Sequence, residues 1–162
     1  MPSSYCRNAH ALLREARVSG LLVVHIQHCA SRGEVFEEGT PGWPILPLLM
    51  PLAGEVVVRK RASNAFEDTN LDTVLQEFGA RSIVVTGLQS EHCVAATCRG
   101  ASRLGYGVRL AEDAHSTWPD GARSASNTIA AENEALASEG VAPSSTERLV
   151  EWLRSAAPPT CD

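Results

Sequence analysis

The sequence contains no long hydrophobic run and no run of basic residues. None of its apolar stretches approaches the about 20 residues that a membrane-spanning helix needs. The first residues, MPSSYCRNAH, lack the apolar core of a secretory signal. A formal net charge of −5 over 162 residues argues against nucleic acid or an anionic membrane as the main partner. These absences predict a cytoplasmic protein whose partner is a small molecule or another protein.

Cysteine is present, but it is not arranged for a disulfide framework or a zinc site. The five cysteines are scattered, and no two of them form a Cys-x-x-Cys pair. No Gly-x-Gly-x-x-Gly or phosphate-binding loop follows an apolar run, which disfavours a nucleotide-dependent oxidoreductase. We therefore expect no cofactor, and thiols that are mostly reduced and structural.

The chain does contain an alternation of short apolar runs and amphipathic segments. Their periodicity and the Gly and Pro residues between them predict strands at 21–27, 55–60, 82–87 and 107–114, and a short one near 141. The same signals predict helices at 9–18, 71–78, 93–104, 123–138 and 146–154. The Gly- and Pro-rich stretch 28–51 predicts a long loop with one helical turn.

Strands separated by helices are typical of βαβ units with right-handed crossovers. The predicted fold class is therefore α/β: a three-layer, Rossmann-like, mostly parallel sheet with helices on both faces. The length suits a single domain, expected over 1–154, with a mobile tail over 155–162.

Cys93 is the first candidate for chemistry, because it lies where the strand SIVVTG gives way to a predicted helix. Ligands of open parallel sheets bind beyond the carboxyl ends of the strands. A helix N-terminus presents unpaired N–H groups and partial positive charge, which favour a thiolate and can hold a developing oxyanion. The alternative is a small buried filler, but the position of Cys93 after GLQSEH favours a nucleophile.

Lys60 is the second candidate, because it ends the strand EVVVRK at the same edge of the sheet. Its ammonium would stabilise the thiolate and any negatively charged intermediate. The alternative is an ordinary solvated lysine at a strand end. Arg59 and Arg61 flank it, and strand alternation directs both to the opposite side.

These residues resemble the isochorismatase-like cysteine hydrolases, the superfamily of nicotinamidases, N-carbamoylsarcosine amidohydrolases and isochorismatases. The resemblance spans about residues 21–136 and rests on the strand-ending Lys60, NAF, T-x-L, VVTGLQSEHCV, and LGY followed by EDA. It implies a six-stranded parallel sheet and an Asp–Lys–Cys triad with Cys93 as nucleophile and Lys60 as its lysine. It also implies that the thiolate cleaves a C–N bond of a small amide or carbamoyl substrate through an acyl-enzyme.

The resemblance implies further features of the site. A cis peptide at Leu88–Gln89 would direct the Gln89 N–H toward the substrate oxygen, beside the Cys93 N–H. Trp43 and Phe66 become candidate pocket walls, with ordinary core as the alternative for each. The metal-binding branch of the family uses an aspartate and several histidines near the second strand. No such aspartate is present here, so no metal is expected. Family members often assemble through helices and loops, so a homo-oligomer is expected.

The triad aspartate has no counterpart in this chain. The family carries it on the first strand in a pattern like LLVxDxQ, and LLVVHIQ here has His25 at that place. Too few residues separate His25 from Lys60 for the helix, strand and loop that the family places between them. We therefore assign LLVVHIQH to the second strand and predict that the first strand and its aspartate are absent. His25, His28 and Glu91 are the candidates for a replacement base. The alternative is an impaired or truncated member that serves as a binding or oligomer-partner protein.

Overall fold

The computed structural model describes residues 4–121 and 123–156. The described helices are α1 (Ser4–Val18), α2 (Leu71–Glu77), α3 (Ala95–Arg103), α4 (Ala125–Ser138) and α5 (Thr146–Ser155). The described strands are β1 (Val24–His28), β2 (Val56–Lys60), β3 (Ser82–Leu88), β4 (Gly107–Ser116) and β5 (Ala142–Ser144). The tail predicted at 155–162 lies mostly outside the described residues. Within them, no helix has the length and apolar character needed to cross a membrane.

Every strand pairing is parallel, which confirms the predicted α/β class. β1 pairs with β2, and β4 lies between β3 and β5. The resemblance implied a six-stranded sheet, but the described residues do not form one. They contribute five strands, and no strand pairing among them joins the β1–β2 pair to the β3–β4–β5 sheet. α1 is the first described element and β1 follows it, so LLVVHIQH comes after a helix, as the assignment to a second strand requires.

β4 shows that helices cover both faces of the three-stranded sheet. Its Val108 and Leu110 pack in one cluster with residues of α3 and α4. Its Ala111 and Ala114 pack in another with residues of α1 and α5. The three-layer arrangement predicted from the strand and helix order is therefore present at this strand.

Local sequence explains where several helices begin and end. Ser124 and Ser145 cap α4 and α5, each accepting a hydrogen bond from a backbone N–H three residues later. α2 stops at Gly79, whose φ of 66° places it in the left-handed region that glycine adopts without a steric cost. α1 presents Ala9 and Leu12 to the core on one face, as its helical spacing requires.

The loop between β1 and β2 follows the prediction of a long connection. One 3₁₀ turn, Pro47–Leu49, interrupts it. Arg17 of α1 donates to the backbone oxygen of Met50 at 2.8 Å, which ties the end of this loop to the first helix. Arg17 also pairs with Glu55 at 2.7 Å, and Glu55 immediately precedes β2.

Candidate active site

Lys60 and Cys93 lie together at the carboxyl ends of β2 and β3. Lys60 Nζ is 3.1 Å from Cys93 Sγ. The lysine is only 4% exposed, and it also donates to the backbone oxygens of Ala62 at 2.7 Å and Ser63 at 3.0 Å. The three ammonium protons therefore have three acceptors, one of which is the sulfur. The lysine is therefore in direct contact with the sulfur of Cys93.

The loop that follows Lys60 is fastened to α3. Ala65 N donates to Thr97 Oγ1 at 3.0 Å, and Phe66 N donates to Asn64 Oδ1 at 3.1 Å. A Cβ added at Gly100 would collide with the Asn64 side chain. Thr97 and Gly100 therefore position the segment that holds the lysine. Neither residue could be predicted from the sequence, because a Thr and a Gly inside a helical pattern carry no local sign of such a contact.

Cys93 lies in a helical turn that begins earlier than predicted. The Leu88–Gln89 peptide is cis, as the resemblance implied. Ser90–Val94 then form a π-helical turn, in which Val94 N donates to Gln89 O at 3.0 Å, and α3 begins at Ala95. The predicted helix start at Cys93 is therefore wrong by three residues, because the wider turn already continues the helix from Ser90. The roles of the Gln89 and Cys93 N–H groups as oxyanion donors stay predictions.

A buried hydrogen-bond chain lies behind this turn. His115 Nδ1 is 2.8 Å from Ser90 Oγ, and His115 Nε2 is 2.9 Å from Asn133 Oδ1. Asn133 Nδ2 donates to Glu112 O at 3.1 Å. Since Asn133 Oδ1 can only accept, Nε2 of His115 carries the proton and Nδ1 accepts from the Ser90 hydroxyl. Burial lowers the pKa of His115 most, against the raising effects of Asn133 and nearby acidic groups. Burial therefore favours the neutral His115 ring, which is the form that this hydrogen-bond chain requires.

No carboxylate forms an ion pair or a hydrogen bond with Lys60 or Cys93 among residues 4–121 and 123–156. The three candidate bases have different surroundings. His25 Nε2 is 2.8 Å from Glu55 Oε2, near the opposite end of β2, so His25 belongs to the Arg17–Glu55 cluster. That contact argues against a role for His25 at the Cys93 site. The pairing of β1 with β2 brings the Glu55 carboxylate beside the His25 ring, and the carboxylate holds the ring there.

Glu91 and His28 each keep one buried polar atom without a hydrogen-bond partner. Glu91 Oε1 accepts from Thr117 Oγ1 at 2.7 Å, while Oε2 has no partner. His28 ends β1 and is the register partner of Lys60. Its Nδ1 is buried and has no partner. Its pKa is lowered from the usual 6.5, first by burial and then by the charge of Lys60, with Glu34 acting in the opposite direction.

Trp43 and Phe66, the predicted pocket walls, have contacts within the protein. The Arg59 guanidinium lies 5.0 Å above the centre of the Trp43 ring, and Gln27 donates to the Trp43 backbone oxygen at 3.2 Å. Phe66 is stacked on Tyr106 at 5.9 Å and packs against two core clusters. Their contact with a substrate stays a prediction. No group of three or more His, Cys, Asp or Glu side chains suited to a metal ion occurs in the described parts of the chain.

Comparison with known families gives one consistent match. The model of the isochorismatase domain matches residues 3–157. Over most of its length the chain also resembles the crystal structure of an isochorismatase from Pseudomonas putida KT2440, with a TM-score of 0.86 and 32% identity. That likeness covers 90% of this chain and 77% of the other.

Two hydrolases are among its sequence relatives. A streptothricin hydrolase of Streptomyces noursei is 44% identical over 107 residues, which are 66% of this chain and 39% of that protein. The ureidoacrylate amidohydrolase RutB of Agrobacterium fabrum is 34% identical over 90 residues, 55% of this chain and 40% of that protein. The chain thus spans about two fifths of the length of these relatives.

Proposed function

The chain belongs to the isochorismatase family of hydrolases, and on that premise we propose that it cleaves a C–N bond of a small amide or carbamoyl compound. Cys93 is the nucleophile and Lys60 is its cationic partner. The observation that supports this most directly is the 3.1 Å contact between Lys60 Nζ and Cys93 Sγ at the carboxyl ends of two parallel strands.

The geometry suits acyl transfer. The thiolate, stabilised by Lys60, attacks the carbonyl carbon and forms a C–S bond. The oxyanion of the tetrahedral intermediate is held by the N–H groups of Gln89 and Cys93. The C–N bond then breaks, the amine leaves, and water hydrolyses the thioester. The Ser90–His115–Asn133 chain supports this step by holding the turn that carries the sulfur.

The names of the relatives support an amide-type substrate. One relative is described as an amidohydrolase and another as a hydrolase of streptothricin. Both align with less than half of their length, so the identity of the substrate is the part of the proposal that a screen must decide. Carbamoyl compounds, linear amides and lactams form the first panel.

A second candidate function is binding without turnover, and one observation favours it. No carboxylate lies in hydrogen-bond or ion-pair contact with Lys60 or Cys93 in the part of the chain that the structure describes. General acid–base catalysis needs a positioned proton acceptor. Without one, the site at Lys60 and Cys93 would bind an amide and release it unchanged, alone or as a partner in an oligomer.

The test is alkylation by iodoacetamide at pH 7, with the modified residue identified by mass spectrometry. Cys93 should react at least 10-fold faster than glutathione, and Lys60→Met should remove most of that advantage. Cys98 is the internal control, since it is fully buried and burial raises its pKa to about 12. The amide panel is then assayed for amine or ammonia release with wild type and Cys93→Ser.

Two results would contradict the proposal. One is an alkylation rate of Cys93, in the folded protein, that is no faster than that of glutathione. The other is amide hydrolysis that survives Cys93→Ser. A reactive Cys93 together with binding but no turnover across the panel would instead support the second candidate.

A further inference from the structure

We propose that His28 accepts and returns the protons that move during acyl transfer at Cys93. The inference rests on the proposed function, because it concerns the formation and hydrolysis of an acyl-enzyme at that residue. It names a proton acceptor among the described residues, none of whose carboxylates is in hydrogen-bond or ion-pair contact with Lys60 or Cys93.

A proton acceptor is needed besides Lys60. The lysine ammonium already donates to two backbone oxygens and to Cys93 Sγ, and as a buried cation it has no lone pair to offer. Yet the thiol must lose a proton before attack, the leaving amine must gain one, and the attacking water must lose one. A group with a free nitrogen lone pair near the ammonium can perform all three transfers.

The strand register places His28 beside Lys60. The two residues are Cα partners at the ends of β1 and β2. Paired residues on neighbouring parallel strands project to the same face of the sheet, so the imidazole and the ammonium share the face from which Lys60 reaches the sulfur. The charge of Lys60 also lowers the pKa of His28, which places the ring within the electrostatic field of that ammonium.

His28 is available for this role. Its Nδ1 is buried and unpartnered, whereas buried ring nitrogens of native proteins nearly always have a hydrogen-bond partner. A substrate group or a water in the site is the partner that this position calls for. Burial and Lys60 both favour the neutral ring, which is the form that accepts a proton, and Glu34 on the following loop opposes them.

The competing groups are less suited. His25 is bonded to Glu55. Glu91 lies two residues before Cys93, but its carboxylate accepts a hydrogen bond from Thr117, and it lacks the strand register that places His28 beside Lys60. Glu91 nevertheless has a buried, unpartnered oxygen. It therefore provides the matched control for His28.

The proton movements balance over one cycle. The Cys93 thiol gives its proton to neutral His28, and the thiolate forms the C–S bond with the carbonyl carbon. When the C–N bond breaks, imidazolium His28 gives that proton to the leaving amine. Water then attacks the thioester while His28 takes one of its protons. The C–S bond breaks, the thiolate leaves, and His28 returns that proton to Cys93 Sγ, which restores the thiol and the neutral ring. The products are one amine and one carboxylic acid for each amide and water consumed.

The experiment uses p-nitrophenyl acetate, whose leaving group needs no proton, so acylation and deacylation separate. Acylation of Cys93 releases about one p-nitrophenolate per chain in a burst, and hydrolysis of the acetyl-enzyme sets the steady rate. In His28→Gln the burst amplitude should remain but the burst should form more slowly, because the thiol has lost its proton acceptor, and the steady rate should fall on the order of 100-fold. The wild-type steady rate should decline only at a pH below the usual imidazole value of about 6.5, because burial and Lys60 lower the pKa of His28, and His28→Gln should lose that decline.

Glu91→Gln should keep both the burst and the steady rate within about twofold of wild type. A His28→Gln steady rate equal to that of wild type, with the same pH profile, would overturn the proposal. So would a selective loss in Glu91→Gln, which would make Glu91 the acceptor. If His28→Gln does not fold, His28→Asn is measured in its place, and a wild-type steady rate that is flat from pH 8 down to the acid unfolding of the protein rules out an imidazole acceptor.

The same data separate this inference from the proposed function. The absence of a burst in wild type, or a burst that survives Cys93→Ser, counts against the nucleophile and overturns the His28 proposal with it. A burst that depends on Cys93, followed by a steady rate that does not depend on His28, counts against His28 alone.

Discussion

The two residues of the candidate site come from regions that are built differently. Cys93 follows the β3–β4–β5 sheet, where Leu110, Ala111 and Ala114 of β4 are completely buried between helices. Lys60 ends the β1–β2 pair, in which all five residues of β1 are only partly buried. Cys93 therefore follows a sheet whose strand β4 is fully buried at these three positions, whereas Lys60 ends a pair whose first strand is only partly buried.

Polar groups in the two regions differ only in part. Behind Cys93, the Ser90, His115 and Asn133 side chains satisfy one another in a chain that ends on the Glu112 backbone oxygen. Glu91 of the same turn and His28 beside Lys60 each keep one buried polar atom without a partner. We expect the hydrogen-bond chain to fix the geometry around Cys93, and the two unpartnered atoms to be available to a substrate.

The largest effect expected from this contrast is on packing. Leu110→Ala removes a fully buried side chain of β4 and should lower the free energy of unfolding by about 3 to 4 kcal/mol. Ile26→Ala, the matched change in β1, removes a partly buried side chain of the same size and should cost about 1 to 2 kcal/mol. Urea unfolding measures both. Equal losses would show that the two regions are equally well packed.

A smaller effect is expected from the buried chain behind Cys93. His115→Leu leaves the Ser90 hydroxyl and the Asn133 amide without partners and should cost about 2 kcal/mol. Ser90→Ala removes only the final hydrogen bond and should cost about 1 kcal/mol. Both variants should also slow Cys93 alkylation, because the turn loses its support. If both variants keep the wild-type stability and the wild-type alkylation rate, the hydrogen-bond chain does not position the turn that carries Cys93.

The smallest effect concerns the ion cluster at the far end of the β1–β2 pair. Arg17 is the first cause that lowers the pKa of Glu55 from 4.5 to about 2. A carboxylate with a lowered pKa in the folded state stabilises the protein above its unfolded pKa, and that contribution is lost as the pH falls from about 4.5 toward about 2. The pair is partly exposed, so the contribution is modest.

Urea midpoints of wild type and Glu55→Gln at pH 5.5 and pH 3 test this expectation. Wild type should lose more stability between the two values than Glu55→Gln does, since the variant cannot titrate at this position. A parallel decline in both proteins would show that Glu55 contributes nothing to the acid sensitivity.

Much of the fold was predictable, because its signals are local. The bounds of β2 and α2 were predicted within one residue, since a β-branched run and the stop at Gly79 act over a few positions. α1 begins five residues earlier than predicted, because Tyr5 packs against the core from a polar stretch without clear periodicity. β4 continues to Ser116 because it pairs with β3 beyond a register shift, a contact that no short window contains.

The site was predictable where it follows strand order and not where it depends on distant partners. Lys60 and Cys93 were identified because parallel strands end at one edge. The role of His115 was missed, since its partners Ser90 and Asn133 lie 25 and 18 residues away on other elements. A histidine at the end of an otherwise apolar strand was the one signal available. His25 was considered for the site and lies instead with Glu55, because a tertiary ion pair decided its surroundings.

The saturated ammonium of Lys60 has a consequence for covalent inhibitors. An amine condenses with an aldehyde only as the neutral base with an exposed lone pair, and Lys60 is buried with every proton held by an acceptor. Under the proposed function, we therefore expect carbonyl electrophiles that enter this site to react with the sulfur and not with the nitrogen. Aldehydes should then inhibit as reversible thiohemiacetals, and reagents that form imines with lysine should leave Lys60 unmodified.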